Sequence, residues 1–311
     1  MRLGYACINT VLRAQGIQTN RKMIKRTFEA KGITYASELA VKNIKDLIEI
    51  IKWNHQNGCK LYRMSSNMFP WMSEYEFSDL PDYDRIKALL KGAGTLVKKY
   101  DQRLSFHPGP FTILASPKPG VVDKAIKEIN QHSEIMDMLG LPVNQYAKIN
   151  IHTGGTYGDK KATMQRFCDN FKRLDANAQA RLVVENDDRP SMYTVADLMY
   201  IHERIGIPIT FDYHHHMLNT GDMSEQDAFL LATSTWPKGI TPTVHYSSSK
   251  KLYEDESAKA VAHADYIYNE INTYGRDVDV MCECKAKEQA IINYSQSFQK
   301  KSLGSEVFLL Y

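Results

Sequence analysis

Short apolar runs, each rich in β-branched or aromatic residues, recur eight times along the chain and alternate with stretches of helical periodicity. Eight strands that each lead into a helix are the count of a closed parallel (β/α)₈ barrel, the TIM barrel. A doubly wound open sheet is the alternative, but no Gly-rich phosphate turn follows the first run. We therefore predict one TIM-barrel domain over residues 1–300, with 301–311 as a C-terminal extension. The predicted strands lie at 2–8, 60–65, 103–107, 147–153, 181–186, 208–214, 241–247 and 278–284.

The stretches between these runs predict helices. In residues 36–58, for example, Leu39, Ile44 and Leu47 follow the spacing of a buried helix face, and Gly58 is a suitable C-cap. The other predicted helices cover 82–100, 121–140, 162–174, 194–206, 224–235, 256–275 and 287–298.

Two segments, after the first and second strands, are too long to be simple connections. Residues 9–35 are basic, which predicts either a solvated helix or a loop that faces phosphates, with Lys22, Lys25 and Arg26 as the candidate contacts. Residues 66–83 are aromatic and irregular. Both segments follow strand C-terminal ends, where TIM-barrel enzymes build their active sites, so we predict enlarged loops on the catalytic face.

Composition narrows the class of protein without identifying a partner. With 39 basic and 36 acidic residues, the chain neither requires nor excludes nucleic acid, so any basic surface must be local. Its five cysteines are odd in number and lack CxxC spacing, which favours reduced, buried thiols. There is no signal-peptide pattern, and no apolar run reaches the ~18 residues of a membrane span. We expect an intracellular monomer, in the cytoplasm or nucleoid, without membrane association.

Histidine, aspartate or glutamate, residue types that can bind metals, stands at the end of each of six consecutive predicted strands. A lone histidine in a strand is more often a hydrogen-bonded core residue than a ligand. The carboxylates of Glu185, Asp212 and Glu283 differ, because burying an ionised group in an apolar run costs several kcal/mol unless a cation compensates. Since strand ends of a barrel converge on one mouth, the set predicts a metal centre. Its candidate ligands are His107, His152, Glu185, Asp212, His215, His245 and Glu283.

These ligands offer nitrogen and oxygen but no thiolate, which suits manganese, zinc or iron better than calcium. They are too many for one tetrahedral ion, so we predict two or three ions with Glu185 as the bridging carboxylate. Paired divalent ions assist an in-line phosphoryl displacement. Glu185, Asp212 and Glu283 are therefore the predicted catalytic carboxylates.

Several motifs together resemble the ultraviolet-damage endonuclease family, relatives of endonuclease IV within the xylose-isomerase-like barrels. The resemblance runs from LGYACIN at 3–9 to VDVMCECKAKEQA at 278–290, nearly the whole chain. It implies incision of damaged double-stranded DNA immediately 5′ of ultraviolet photoproducts, and often of abasic sites, with a manganese cluster; zinc is the alternative metal. The most specific motifs are YRMSSNMFP (62–70), FHPG (106–109), ENDDR (185–189), FDYHHH (211–216), VHYSS (244–248) and ECKAKE (283–288).

The resemblance also implies roles for individual residues. It places the first ion on His107, His152 and Glu185, and the second on Glu185, Asp212, His245 and Glu283. A third ion falls to His215 and His263, the latter on the resemblance alone. The resemblance assigns DNA contact to Tyr5, Asn9, Pro110 and Phe111, besides the basic residues Lys22, Lys25 and Arg26.

Two positions depart from the family pattern. The family carries Gln-Tyr after HPG, a pair that probes the duplex, whereas this chain has Pro110-Phe111. Phenylalanine keeps an aromatic wedge that can stack where bases are unstacked. The family also carries a lysine, reported to be carboxylated, two residues before the histidine of strand seven. Here that position is Thr243, whose neutral hydroxyl is a poorer ligand.

Two other functions fit parts of this pattern. A sugar isomerase or epimerase uses the same barrel and similar ligands, but the basic 9–35 segment, the aromatic 66–83 segment and the DDR after Glu185 favour a large anionic substrate. A lesion-binding protein with impaired catalysis would result if Thr243 removed a required ion. The intact core ligands favour an endonuclease.

Overall fold

Eight parallel strands form the centre of the computed structural model, which describes residues 1–299. Neighbouring strands follow the order β6-β5-β4-β3-β2-β1-β8-β7. A bridge between Asp212, just after β6, and His245 of β7 joins the two ends of this order. The His245 N–H donates to the Phe211 carbonyl at 2.8 Å, so the barrel closes at the C-terminal ends of β6 and β7. The predicted TIM barrel is confirmed. The strands are β1 Arg2–Ala6, β2 Leu61–Met64, β3 Arg103–Phe106, β4 Ile149–His152, β5 Leu182–Glu185, β6 Ile209–Thr210, β7 Thr243–Tyr246 and β8 Asp279–Cys282.

Helices surround the barrel and bury their apolar faces against the strands, in a core that runs around its circumference. None of the helices within residues 1–299 is long and apolar enough to cross a bilayer. The helices are α1 Thr10–Arg13, α2 Lys25–Gln56, α3 Tyr83–Lys99, α4 Pro119–Met138, α5 Lys160–Phe171, α6 Ala176–Arg181, α7 Val195–Ile205, α8 Tyr213–Leu218, α9 Glu225–Ser234, α10 Lys250–Tyr253 and α11 Glu288–Tyr294. Short 3₁₀ turns lie at Met72–Glu74, Phe77–Asp79 and Gln145–Ala147, and a π-helical turn at Ser295–Gln299. The predicted extension 301–311 lies outside the described residues.

Helix α2 has the predicted apolar face, but it begins earlier in the chain than predicted. Ile44 and Leu47 are fully buried, and Gly58 takes a positive φ of 74° just after the helix ends. The helix begins at Lys25 and bends at Gly32, so the prediction of one loop over 9–35 was wrong in its second half. This half is helical, as the alternative prediction for the same segment has it, and its charged side chains are exposed.

The segment after α10 is not the helix predicted for 256–275. The Ala264 N–H donates to the Ser248 carbonyl at 2.9 Å, and the Ala264 carbonyl accepts from the Lys285 N–H at 3.0 Å. A helix would use both groups within itself, whereas here they tie the segment to the loops that follow β7 and β8. This pairing places His263 at the catalytic end of the barrel.

The segment 66–83 is irregular, as predicted, but its aromatic side chains turn inward. Phe69, Tyr75 and Phe77 are each at most 5% exposed, and the ring of Trp71 stacks on Phe28 of α2 with centroids 5.9 Å apart. These rings form a core beneath the loop. They do not provide a stacking surface for a nucleic acid.

Candidate metal centre

Glu185, the last residue of β5, lies at the centre of a ring of polar side chains at the barrel mouth. Its side chain is only 1% exposed. His107 Nε2 lies 3.1 Å from Oε2, and His245 Nδ1 lies 3.0 Å from Oε1. His152 follows at 3.9 Å from Oε2, and His215 at 3.4 Å from Oε1. Both carboxylate oxygens therefore face histidine nitrogens from different strands, as a bridging ligand requires.

Two sets of three side chains bring one ligand atom each within 4.8 Å of one another. The first is His107, His152 and Glu185, and the second is Glu185, Asp212 and His245. Asp212 is fully buried, and its Oδ2 has no hydrogen-bond partner among residues 1–299. A buried carboxylate oxygen without a donor is costly unless a cation compensates it, so the residues present fit a divalent ion.

Glu283, just after β8, joins the second set through His245, whose Nδ1 lies 3.3 Å from Glu283 Oε1. The same oxygen accepts a hydrogen bond from Arg63 Nη1 at 2.5 Å. The structure therefore brings all the predicted ligands of the first and second ions to one mouth. It also adds a cation from β2 that the sequence analysis did not single out.

The ligand pair suggested for a third ion is not assembled in the same way. His215 Nδ1 lies 2.9 Å from the Asn186 carbonyl oxygen and makes no hydrogen bond to His263 within residues 1–299. His263 Nδ1 instead contacts Ser247 Oγ at 2.6 Å, and its ring packs on that of His214, with centroids 5.0 Å apart. The third site stays a prediction, and it would need His263 to change partners.

Three residues that sequence reasoning missed hold the ligands in place. Asn150 donates a hydrogen bond to Glu185 Oε2, and Asp187 Oδ1 lies 2.9 Å from His152 Nδ1. Lys148 is buried beneath the site, where its Nζ lies 2.9 Å from His245 Nε2. Such contacts fix the ring orientation of metal-binding histidines. A lysine amine thus contacts His245 of β7. This lysine stands just before β4, whereas the lysine of the family pattern stands at position 243.

Burial and neighbouring charges separate the protonation states of these ligands. Burial lowers the pKa of His152, but the charge of Glu185 and the contact with Asp187 outweigh it and raise this pKa to about 10. Burial likewise lowers the pKa of His215, but the charges of Asp212 and Glu185 outweigh it and raise this pKa to about 9. Burial, with the charge of Glu185, raises the pKa of Asp212 to about 7. Burial lowers the pKa of His245 to about 3.

Metal binding should therefore release protons. In the metal-free chain at pH 7.5, His152 and His215 lie below their pKa values of about 10 and about 9 and carry protons. A ligand must lose its proton to bind an ion, so uptake of manganese should release about two protons per chain. The apparent affinity should rise by about 100-fold per pH unit between about pH 7 and pH 9, and level off above pH 10. Calorimetric titration in buffers of different ionisation enthalpy measures the protons released.

The variant His152→Gln provides the control for this titration, since it should release about one proton fewer than the parent. Manganese binding at pH 7.5 without proton release would contradict the assignment of these two histidines as ligands.

Two residues expected to contact DNA are buried instead. Tyr5 is 0% exposed, and its hydroxyl donates to Asn54 of α2 at 2.7 Å. Asn9 is 1% exposed and accepts from the Leu12 N–H as the N-cap of α1, while its amide donates to Tyr5. Their assignment to DNA contact was wrong, because both side chains are used between the barrel and its helices.

The other expected contact residues lie on the surface. Phe111 is 86% exposed on the loop between β3 and α4, with Pro110 beside it. Lys22, Lys25 and Arg26 are exposed, before and at the start of α2. A cleft of about 360 Å³ connects the Pro108–Pro110 loop with the candidate ligands His152 and His215.

Comparison with known proteins places this geometry in a family. The sequence profile described as UV-endonuclease UvdE matches residues 1–305. The chain is 35% identical over 308 residues to the UV-damage endonuclease of Schizosaccharomyces pombe, covering 96% of this chain and 51% of that protein. It is 34% identical over 305 residues to the UV DNA damage endonuclease of Bacillus pumilus, covering 89% of this chain and 91% of that one. The chain thus spans about half the length of the S. pombe relative.

Solved structures agree with this placement. SacUVDE superposes with a TM-score of 0.84 at 29% identity, covering 97% of this chain and 99% of that one. Endonuclease IV of Thermus thermophilus gives a TM-score of 0.57 at 11% identity, covering 98% and 100%. D-psicose 3-epimerase of Clostridium cellulolyticum gives 0.57 at 10%, covering 97% and 98%. At such low identity these last two structures show only a shared fold, so the second of them is no evidence for an epimerase. The chain belongs to the UV-endonuclease UvdE family.

Proposed function

We propose that this protein is a DNA repair endonuclease that hydrolyses the backbone of ultraviolet-damaged double-stranded DNA immediately 5′ of the photoproduct, and also acts at abasic sites. The observation that carries the proposal is the pair of histidine and carboxylate sets that share Glu185 at the barrel mouth. The names of its relatives, UV-damage endonuclease and UV DNA damage endonuclease, support the class of substrate.

We further propose a cluster of two to three divalent ions, manganese in the first place and zinc as the alternative. His107, His152 and Glu185 would hold one ion, and Asp212, His245 and Glu283 would share Glu185 with a second. His215 and His263 would serve a third. The chemistry that such ions supply is neutralisation of phosphate charge and deprotonation of water near neutral pH.

The protein's own residues prepare this chemistry. Histidines surround Glu185 and, although burial acts to raise its pKa, hold that pKa well below the usual range. Asn150 fixes one of its oxygens, and Asp187 leaves His152 Nε2 directed toward the centre. Exposed Phe111, between Pro110 and Thr112 of the loop that lines the cleft, is the proposed wedge that tests whether bases are stacked.

Incision of an end-labelled duplex that carries one defined photoproduct tests the proposal. With manganese we expect one cut, at the phosphodiester immediately 5′ of the lesion, and no cut in the matched undamaged duplex. A duplex with one abasic site should be cut at the corresponding position. Equal cutting of damaged and undamaged duplexes, or none with any of manganese, zinc and iron, would contradict it.

The basic residues before and at the start of α2 give a separate prediction about binding. Reversing Lys22, Lys25 and Arg26 to glutamate should weaken binding to damaged and undamaged duplexes alike, because these exposed cations can contact phosphates but read no base. The slope of log affinity against log salt should flatten by about three, at roughly 0.9 per lost phosphate contact. Fluorescence anisotropy over a range of salt concentrations measures both.

A matched control reverses three lysines on the opposite end of the barrel. Lys98 and Lys99 end α3 and Lys238 precedes β7, and all three are exposed. This variant has the same change in net charge, and its salt slope should stay near that of the parent. Equal loss in both variants would show that net charge, and not the position of Lys22, Lys25 and Arg26, determines binding.

A further inference from the structure

Arg63 is the one charged side chain that β2 brings to the barrel mouth, and it is not among the proposed metal ligands. It lies near the end of this strand, paired with Ala6 of β1 and Ser105 of β3. Its side chain is 12% exposed. The same mouth receives the ligands from β3 to β8, so Arg63 approaches the metal centre from the side on which no proposed ligand stands.

The contacts of this guanidinium are incomplete. Nη1 donates to Glu283 Oε1 at 2.5 Å, and within residues 1–299 this is the one hydrogen bond that the side chain makes. An arginine has five N–H donors and cannot lose its charge in a protein. The other two nitrogens, Nε and Nη2, have no hydrogen-bond partner within residues 1–299, and they are not fully buried. They therefore reach the solvent of the mouth. They are free to take an acceptor from outside.

Simple neutralisation of Glu283 does not account for this arrangement. An ion pair with Glu283 uses one N–H donor, which a lysine would also supply. The planar guanidinium of arginine presents two parallel N–H donors, and these are suited to an anion with two adjacent oxygens. A phosphodiester has two such oxygens. It is also the anion that the proposed function brings to this mouth, and negative charge increases on those oxygens during displacement.

We propose that Arg63 is a catalytic residue that binds the non-bridging oxygens of the scissile phosphodiester while one of its N–H groups remains on Glu283. This rests on the proposed function. It predicts that Arg63 responds to the charge of one particular linkage in the substrate, and not to DNA in general.

The test exchanges that linkage for a neutral one. A lesion duplex with a methylphosphonate at the scissile position is compared with the unmodified duplex, using the full chain with manganese. Single-turnover incision gives the half-saturating concentration for the unmodified duplex, and competition gives the affinity for the modified one. The parent should lose about 10- to 100-fold in affinity on modification, as expected for a charge-assisted contact. Arg63→Met should show a penalty about tenfold smaller than that of the parent, because the share of the guanidinium is already missing and only the share of the metal ions remains.

Two further variants separate the effect of the guanidinium from that of positive charge alone. Lys98→Met removes an exposed cation on the opposite end of the barrel and should keep the full penalty of the parent. Arg63→Lys keeps the charge without the fork and should show a penalty between those of the parent and Arg63→Met. If Arg63→Met unfolds below the assay temperature, Arg63→Lys carries the comparison.

An Arg63→Met variant that discriminates between the two duplexes as strongly as the parent would overturn the inference, and so would an Arg63→Lys variant with the full penalty of the parent. Failure of the proposed function is distinguishable, since in that case the parent would not incise the unmodified lesion duplex.

Discussion

Glu185→Gln is expected to abolish incision. The change keeps the volume of the side chain but removes the carboxylate that faces four histidines, including His107 at 3.1 Å and His245 at 3.0 Å. Loss of one charge-stabilising group from an active site already costs about 10²- to 10³-fold in rate, and here both proposed ions lose a shared ligand. Single-turnover incision and metal content by mass spectrometry should fall together. Parent-like incision with added manganese would reject Glu185 as the bridge.

Asp212→Asn is the matched variant, because it should also stop incision but should differ in the stability of the metal-free protein. The pKa of Asp212 is raised to about 7, so near neutral pH this carboxyl is partly protonated and resembles an amide. Its replacement should change the free energy of unfolding by no more than about 1 kcal/mol. Glu185, in contrast, offsets the charge of His152, and its loss should cost about 3 kcal/mol. Urea unfolding in the presence of a chelator measures both, and equal stabilities would contradict this assignment of charge.

Phe111→Ala is expected to lower affinity for photoproduct DNA by about 10- to 100-fold, since stacking of a ring on a base contributes ~1–3 kcal/mol. At 86% exposure the ring packs against little of the protein, so its removal should leave the melting temperature and the metal content unchanged. Affinity for undamaged duplex should change less, because intact base pairs cost more to unstack. Anisotropy with both duplexes measures the difference.

Conservative changes at the same loop complete this test. Phe111→Tyr restores the aromatic residue of the family and should bind like the parent, and Pro110→Gln should broaden or strengthen lesion recognition. A Phe111→Ala protein that melts at a lower temperature yet binds lesions as tightly as the parent would reject the wedge.

The barrel and the meeting of the candidate ligands at its mouth could be predicted from the sequence because chain geometry determines both. A parallel strand that ends in a histidine or carboxylate delivers that side chain to the common mouth, so His107, Glu185 and His245 needed no local motif. His263 could not be found in this way. It lies on an irregular segment whose backbone bonds to Ser248 and Lys285, and the period of its apolar residues resembled a helix.

The residues around the ligands were harder to predict, for two reasons. Asn150 lies in β4 and Lys148 just before it, at positions where a polar residue can serve many structural roles, and only the closed barrel brings them to Glu185 and His245. Tyr5, by contrast, was assigned from family resemblance, although alternation along β1 points to its burial. Ala6 faces the barrel interior with Met281, so its neighbour Tyr5 must face the helices.

The most direct test of the central claim measures incision rate against the number of manganese ions bound per chain. The protein is stripped with a chelator and reloaded in steps, and bound metal and single-turnover incision of a photoproduct duplex are followed on the same samples. We expect no incision at zero ions, and full incision only when at least two ions are bound, since Glu185 is shared by two ligand sets. Full incision by the stripped protein in the presence of chelator would contradict a metal centre built around Glu185.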